Sequence, residues 1–172
     1  MGYAASTGYR GVLCGAAIAG LMLCPSVSLS GPPAYFGYVP NAGTNTVSVI
    51  NTLTNVVVAS IPVGVNPLAA ALHPAGGPVF VANYGSNSVS VIDAVFAVIV
   101  DTVQLQYPPY NLAVNPSGTQ VWVISLDGRN VSVIDVATHV VLATVDLGIA
   151  APSEGDSGPR ALAFSPSGSV SV

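Results

Sequence analysis

The tetrapeptide Val-Ser-Val-Ile occurs three times, at Val47–Ile50, Val89–Ile92 and Val131–Ile134, each copy 42 residues after the last. The match extends in both directions. YVPNAGTNTVSVIN, FVANYGSNSVSVID and WVISLDGRNVSVID align without a gap from Tyr38, Phe80 and Trp122. NVVVASI, AVIVDTV and HVVLATV follow at the same offset, and then PLAAALHPAGG, PYNLAVNPSGT and PRALAFSPSGS. The last copy arrives eight residues late, which places an insertion near Ala151–Gly158. A period of this length means repeated supersecondary units, each unable to bury its apolar face alone.

Each unit holds four short runs rich in Val, Ile, Thr and aromatic residues, separated by Gly, Asn and Pro. In the middle unit the runs are Val79–Asn83, Val89–Asp93, Val98–Val103 and Asn111–Val114. Such composition favours strands, and Asn-Pro-Ser-Gly (Asn115–Gly118) and Ser-Pro-Ser-Gly (Ser165–Gly168) supply tight-turn chemistry. Four strands per repeat read as a β-propeller blade, so the fold class is all-β with four-stranded blades. The repeat resembles the YVTN-type β-propeller family, which includes surface-layer and YncE-like propeller proteins. Its Tyr-Val-Thr-Asn run appears here as YVPN (Tyr38–Asn41), FVAN (Phe80–Asn83) and WVIS (Trp122–Ser125), and YGSNSVSVID and NPSG are further marks of it. The third copy departs at Leu126–Arg129, where Tyr-Gly-Ser-Asn becomes Leu-Asp-Gly-Arg.

The chain of 172 residues holds about three such units and the start of another, whereas closed propellers have about four to eight blades. The array therefore reads as an incomplete propeller, the remaining blades coming from a longer parent chain. Ring closure by several copies is the second reading.

Residues 1–30 read as a secretory signal peptide: Arg10, then the apolar run GVLCGAAIAGLMLC, then Pro25 and small serines suited to cleavage after Ser28 or Ser30. Residues 31–37 form a linker, and 38–172 the propeller segment. The apolar run of 14 residues is too short to span a bilayer, so no membrane span is expected after signal removal. Leu23 before Cys24 is too large for a lipoprotein site. Both cysteines, Cys14 and Cys24, fall in the leader, leaving the mature chain without a thiol. The expected localisation is secreted, periplasmic or cell-surface.

Only 6% of residues are charged, against roughly 25% in an ordinary domain. There is no lysine, and without Arg10 two arginines stand against seven acids, a formal charge of −5. Nucleic-acid partners are not expected of such an acidic surface. Single-stranded nucleic-acid binding, known among relatives of the family, would rest on tyrosine stacking alone.

Asn51, Asp93 and Asp135 end equivalent strands, where a short side-chain oxygen accepts turn N–H groups. His73 stands where other copies have Asn115 and Ser165, whereas His139 begins an outer strand, so the two histidines are not equivalent and make no metal set. Gly155–Pro159 resembles the string around a chymotrypsin-like nucleophile, but a blade repeat places no His and Asp beside it, and it reads as an insertion loop. Asn130-Val131-Ser132 matches a glycosylation sequon inside a strand, where no modification is expected. No catalytic residue, metal or cofactor is assigned.

Strand alternation puts 41–45, 83–87 and 125–130 on one rim, with the connections entering Pro67, Pro109 and Pro159. That rim collects Tyr84, Tyr107, Tyr110, Asp127, Arg129, Glu154, Asp156 and Arg160, including both mature arginines. Loops on a rigid scaffold are where binding residues concentrate. The expected function is a non-enzymatic scaffold binding a protein or small ligand there. The alternative is part of an enzyme propeller, lactonase-like or quinoprotein-related, with its catalytic residues in other blades.

Overall fold

The computed structural model describes residues 35–127, 129–148 and 158–165. The expected signal peptide lies outside them. Three antiparallel sheets follow one another along the chain. The first joins β1 (Phe36–Asn41), β2 (Thr46–Asn51) and β3 (Val56–Pro62) in that order. The second runs β4 (Pro67–Leu72), β5 (Val79–Asn83), β6 (Ser88–Asp93) and β7 (Val98–Gln104). The third runs β8 (Pro109–Val114), β9 (Gln120–Ser125), β10 (Asn130–Asp135) and β11 (Val141–Asp146). Each sheet is a propeller blade. Strand β1 takes in Phe36 and Gly37, which sequence left in the linker, because they pair with Asn51 and Ile50 and complete the ladder.

Repeat and blade are out of phase by one strand. The fourth run of the middle repeat, now β8, hydrogen-bonds to β9 of the next blade and not to the preceding β7. The chain reaches the outer edge of a blade at β7 and crosses back through 105–108 to begin the next from inside, where β8 packs beside β4.

The Val-Ser-Val-Ile pattern explains the stacking. Successive strand residues face opposite ways. Val89 and Val91 therefore join Phe80, Ala82, Leu112, Val121, Val123 and Ile134 between the second and third blades. Ile92 turns the other way, joining Val47, Val49, Ile61, Val79 and Val81 between the first and second. Strand β6 is buried from Ser88 to Ile92, which is why a charge-poor sequence suits it. Fully burying each Val or Ile contributes about 1.5–3 kcal/mol.

The pairing with the outer strand shifts register at one point in each blade, between Val49 and Ile50, Val91 and Ile92, and Val133 and Ile134. Val58, Val100 and Leu142 are thereby left without a partner opposite them, as extra residues of a β-bulge on each outer strand. The inner strands bulge as well, skipping Leu68 in β4 and Tyr110 in β8.

The turns that end β2, β6 and β10 are capped alike. Asn51 Oδ1 accepts the Leu53 and Thr54 N–H groups, Asp93 Oδ1 those of Val95 and Phe96, and Asp135 Oδ1 those of Ala137 and Thr138. The chain then turns through a left-handed residue, Asn55, Ala97 or His139. At the same rim, His73 Nδ1 accepts the Ala75 N–H and Nε2 donates to Gly118 O at 3.0 Å, linking blades two and three. Around the outside, His139 Nδ1 lies 2.7 Å from Asp101 Oδ2, a second link between the same blades.

Candidate functional site

The opposite rim is built from three hairpin loops and the connections between blades. Each hairpin closes through a left-handed residue, Asn45, Asn87 and Arg129, spaced by the repeat. Asparagine tolerates that conformation well and arginine less so. Each loop also anchors the incoming connection. Asn45 Oδ1 accepts the Asn66 N–H, Ser86 Oγ accepts that of Val65, and Asn87 O and Arg129 O accept those of Leu105 and Leu147.

Beneath the loops an amide and a hydroxyl face each other across the hairpin. Asn41 donates to Thr46 and Ser48, and Asn83 to Ser88 and Ser90. In the third blade the pair is exchanged: Ser125 stands opposite Asn130. The neighbouring connection changes with it. Gly64 lies so close above Asn83 that a Cβ there would meet its Cγ at 2.7 Å. The repeat puts Gln106 in the corresponding place, and Ser125 Oγ instead donates to Tyr107 O at 3.5 Å.

On this base stand the rim side chains. Tyr84 opens a short 3-10 turn, Tyr84–Ser86, and its hydroxyl donates to Asp127 Oδ2 at 2.9 Å, from the second blade to the third. This hydrogen bond, with the Asp127 charge, raises the Tyr84 pKa above its ordinary 10.0. Tyr107 lies on the connection into β8, half-buried, and Tyr110 is the bulged residue of β8. Bulges re-aim a side chain. Arg160 occupies the place in the third repeat that Tyr110 holds in the second, and its carbonyl accepts from Asn111 Nδ2 at 3.1 Å. Arg129 is half-buried, its aliphatic stem beside Gly158. Glu154 and Asp156 lie outside the described residues.

The structure thus joins Tyr84 directly to Asp127 and sets Arg160 beside the strand that carries Tyr110. Sequence reasoning did not single out Asn111, Asn45 or Ser86. Asn45 had a signal, since it aligns with Asn87 and Arg129. Among the described residues, no group of three or more His, Cys, Asp or Glu side chains lies close enough to hold a metal ion. No helix among them is long and apolar enough to cross a membrane.

No family model matches the sequence. No curated protein matches it either. Solved structures do. Hydrazine synthase from Kuenenia stuttgartiensis superposes with a TM-score of 0.65 at 24% identity, covering 72% of this chain and 34% of that one. The dihydro-heme d1 dehydrogenase NirN, in complex with DHE, gives 0.58 at 20%, covering 64% and 24%. The fold is a β-propeller. The chain spans about a third of the first structure's length and about a quarter of the second's.

Proposed function

We propose that the chain is a non-enzymatic interaction scaffold whose binding surface is the rim carrying Tyr84, Tyr107, Tyr110, Asp127, Arg129 and Arg160. The observation that carries this reading is the bridge from Tyr84 to Asp127. It ties the loops of adjacent blades into one polar, aromatic surface on a chain otherwise poor in charge. Tyrosine and arginine there suit a protein or small polar ligand, the aromatic body giving contact area and the hydroxyl or guanidinium giving direction. The repeat is YVTN-like on this reading, and the leader at residues 1–30 exports the chain to the periplasm, the cell surface or the medium.

Tagged wild-type chain should capture a partner that Tyr107→Ala with Tyr110→Ala loses, while Leu53→Ser on the opposite rim retains it. Equal capture by both variants would refute the rim. Fractionation with and without residues 1–30 tests export.

A second reading is part of an enzyme propeller. In its favour, the two solved structures named above carry the names of enzymes. On that reading the three blades serve as wall and support, and the reacting groups belong to other parts of the protein. A catalytic activity abolished by substitution in other blades, with the rim variants active, would favour it.

A further inference from the structure

The rim that carries the Asn51, Asp93 and Asp135 turns, opposite the tyrosine-bearing one, presents an apolar patch. Phe96 and Val95, at the tip of the turn between β6 and β7, are 75% and 71% exposed, more than any other large apolar residue described. Leu53, the repeat image of Val95 in the first blade, is 50% exposed. The third blade has Ala137 and Thr138 at these places, so the patch belongs to blades one and two.

Contacts between the two blades make their tips one surface. The Tyr38 hydroxyl donates to Ala94 O at 3.4 Å, from the first blade to the tip of the second. Ala94 and Ala97 pack against the cluster that holds Val47 and Val49 of the first blade. Phe36 shares the face of β1 that carries Tyr38, one step nearer this rim, and is itself exposed. Tyr35 O accepts from both the N–H and the hydroxyl of Thr52, which ties the exposed Tyr35 to the turn that bears Leu53.

We propose that Tyr35, Phe36, Leu53, Val95 and Phe96 form a docking surface for a zwitterionic lipid bilayer, entered only to the depth of the turn tips. Three observations favour a bilayer as the occupant. The first is the backbone. Apolar tips leave water cheaply only when their own N–H groups are already bound. Asp93 Oδ1 takes those of Val95 and Phe96, Asp93 O that of Ala97, and Asn51 Oδ1 that of Leu53.

The second is charge. The chain has no lysine, and Arg129 and Arg160 both belong to the opposite rim. The ionisable acids on this side are Asp93 and Asp135, which repel acidic headgroups. Attachment therefore rests on apolar and aromatic side chains, as at a neutral interface, where tyrosine and phenylalanine sit at headgroup level. The third is connectivity. Phe36 pairs with Asn51, so the chain enters the blades from this rim, and the apolar run Gly11–Cys24 is tethered there, ending eleven residues before Tyr35. Convex single-turn tips also suit a fluid surface, which needs no matching pockets.

The test uses the full chain and vesicles of phosphatidylcholine. Trp122→Phe removes the one tryptophan, and Phe96→Trp or Tyr107→Trp then places a probe on one rim or the other. Lipid with brominated acyl chains should quench the probe at position 96 at least threefold more than the probe at 107. Val95→Ser with Phe96→Ser keeps the Asp93 cap and should lower vesicle partitioning about tenfold, the equivalent of one such side chain leaving lipid. Tyr107→Ala should leave partitioning unchanged, and added phosphatidylserine should not strengthen it. Attachment through the leader alone would leave the two probes equally quenched and the double variant unimpaired, and would overturn the proposal. Tighter binding to the phosphatidylserine vesicles would overturn it too. So would a dimer without vesicles that the double variant dissociates, which would make the patch a contact between copies.

Discussion

Tyr84 on the second blade donates its hydroxyl hydrogen to Asp127 on the third, 2.9 Å away, and the two residues are not repeat equivalents. Asp127 falls one position beyond the repeat image of Tyr84, in the loop where Tyr-Gly-Ser-Asn gives way to Leu-Asp-Gly-Arg. The carboxylate stabilises the neutral phenol, which raises the Tyr84 pKa. A group so shifted contributes its stability in full below its unfolded value, 10.0, and loses it as pH rises through the folded value. Asp127→Asn should return Tyr84 toward 10.0 and remove that alkaline component of stability. Tyrosinate absorbance, read against a Tyr84→Phe control, checks it; an unchanged titration would refute the bridge in solution.

The blades themselves were legible in the sequence. A repeat of 42 residues, alternating apolar positions and Pro-Ser-Gly turns locate every strand from β1 to β11 within a few residues. The hydrogen-bond partner of β8 was less visible, because a repeat fixes spacing and not the point at which the chain crosses to the next blade. The bulge at Tyr110 escaped for a similar reason, since an extra residue in a ladder is a property of two strands together. The Tyr84–Asp127 bridge breaks the period outright, so no alignment of one copy to another reveals it.

The exchange of Asn83 and Ser88 for Ser125 and Asn130 implies that each hairpin tolerates the amide on either strand, provided the connection above leaves room. Gly64→Ala should destabilise the protein by about 1–3 kcal/mol, the usual range for an overpacked site. The added methyl group would press on Asn83 and on the Ser86 Oγ. Converting the second blade to the third blade's arrangement, Asn83→Ser with Ser88→Asn, should recover at least half of that loss. Urea unfolding of the four variants in a cycle measures the coupling. A coupling near zero would show that the two differences between blades are unrelated.

Asp135 makes the acid limb of stability testable. The Thr138 hydroxyl, then the Thr138 and Ala137 N–H groups, hold its carboxyl below the ordinary 3.8, and His139 adds to this. Asp101 is lowered as well, chiefly by its hydrogen bond from His139. Depressed carboxyls contribute stability above their unfolded pKa and lose it as pH falls through the folded value. Stability should therefore hold down to about pH 4 and decline below it. Asp135→Asn keeps the turn, as Asn51 does in the first blade, but should flatten that decline. Denaturant midpoints between pH 2 and 6 decide it, and an equal slope in the variant would count against the assignment.

Ala97 offers the reverse case, a position where the natural residue is the strained one. It sits at φ 54° after the Asp93 turn, where the first blade has Asn55 at φ 55°. An alanine in this region is strained by about 1–2 kcal/mol, because Cβ crowds the following carbonyl, whereas asparagine is tolerated there. Its backbone N–H is held by Asp93 O at 2.9 Å, so the turn cannot relax without losing that bond. Ala97→Asn should raise stability by about 0.5–1 kcal/mol without altering the rim, which lies at the other end of the strands. The same change at Ala94, which has no left-handed backbone, should give no gain. If the two substitutions shift the urea midpoint equally, strain at position 97 is not what limits this blade.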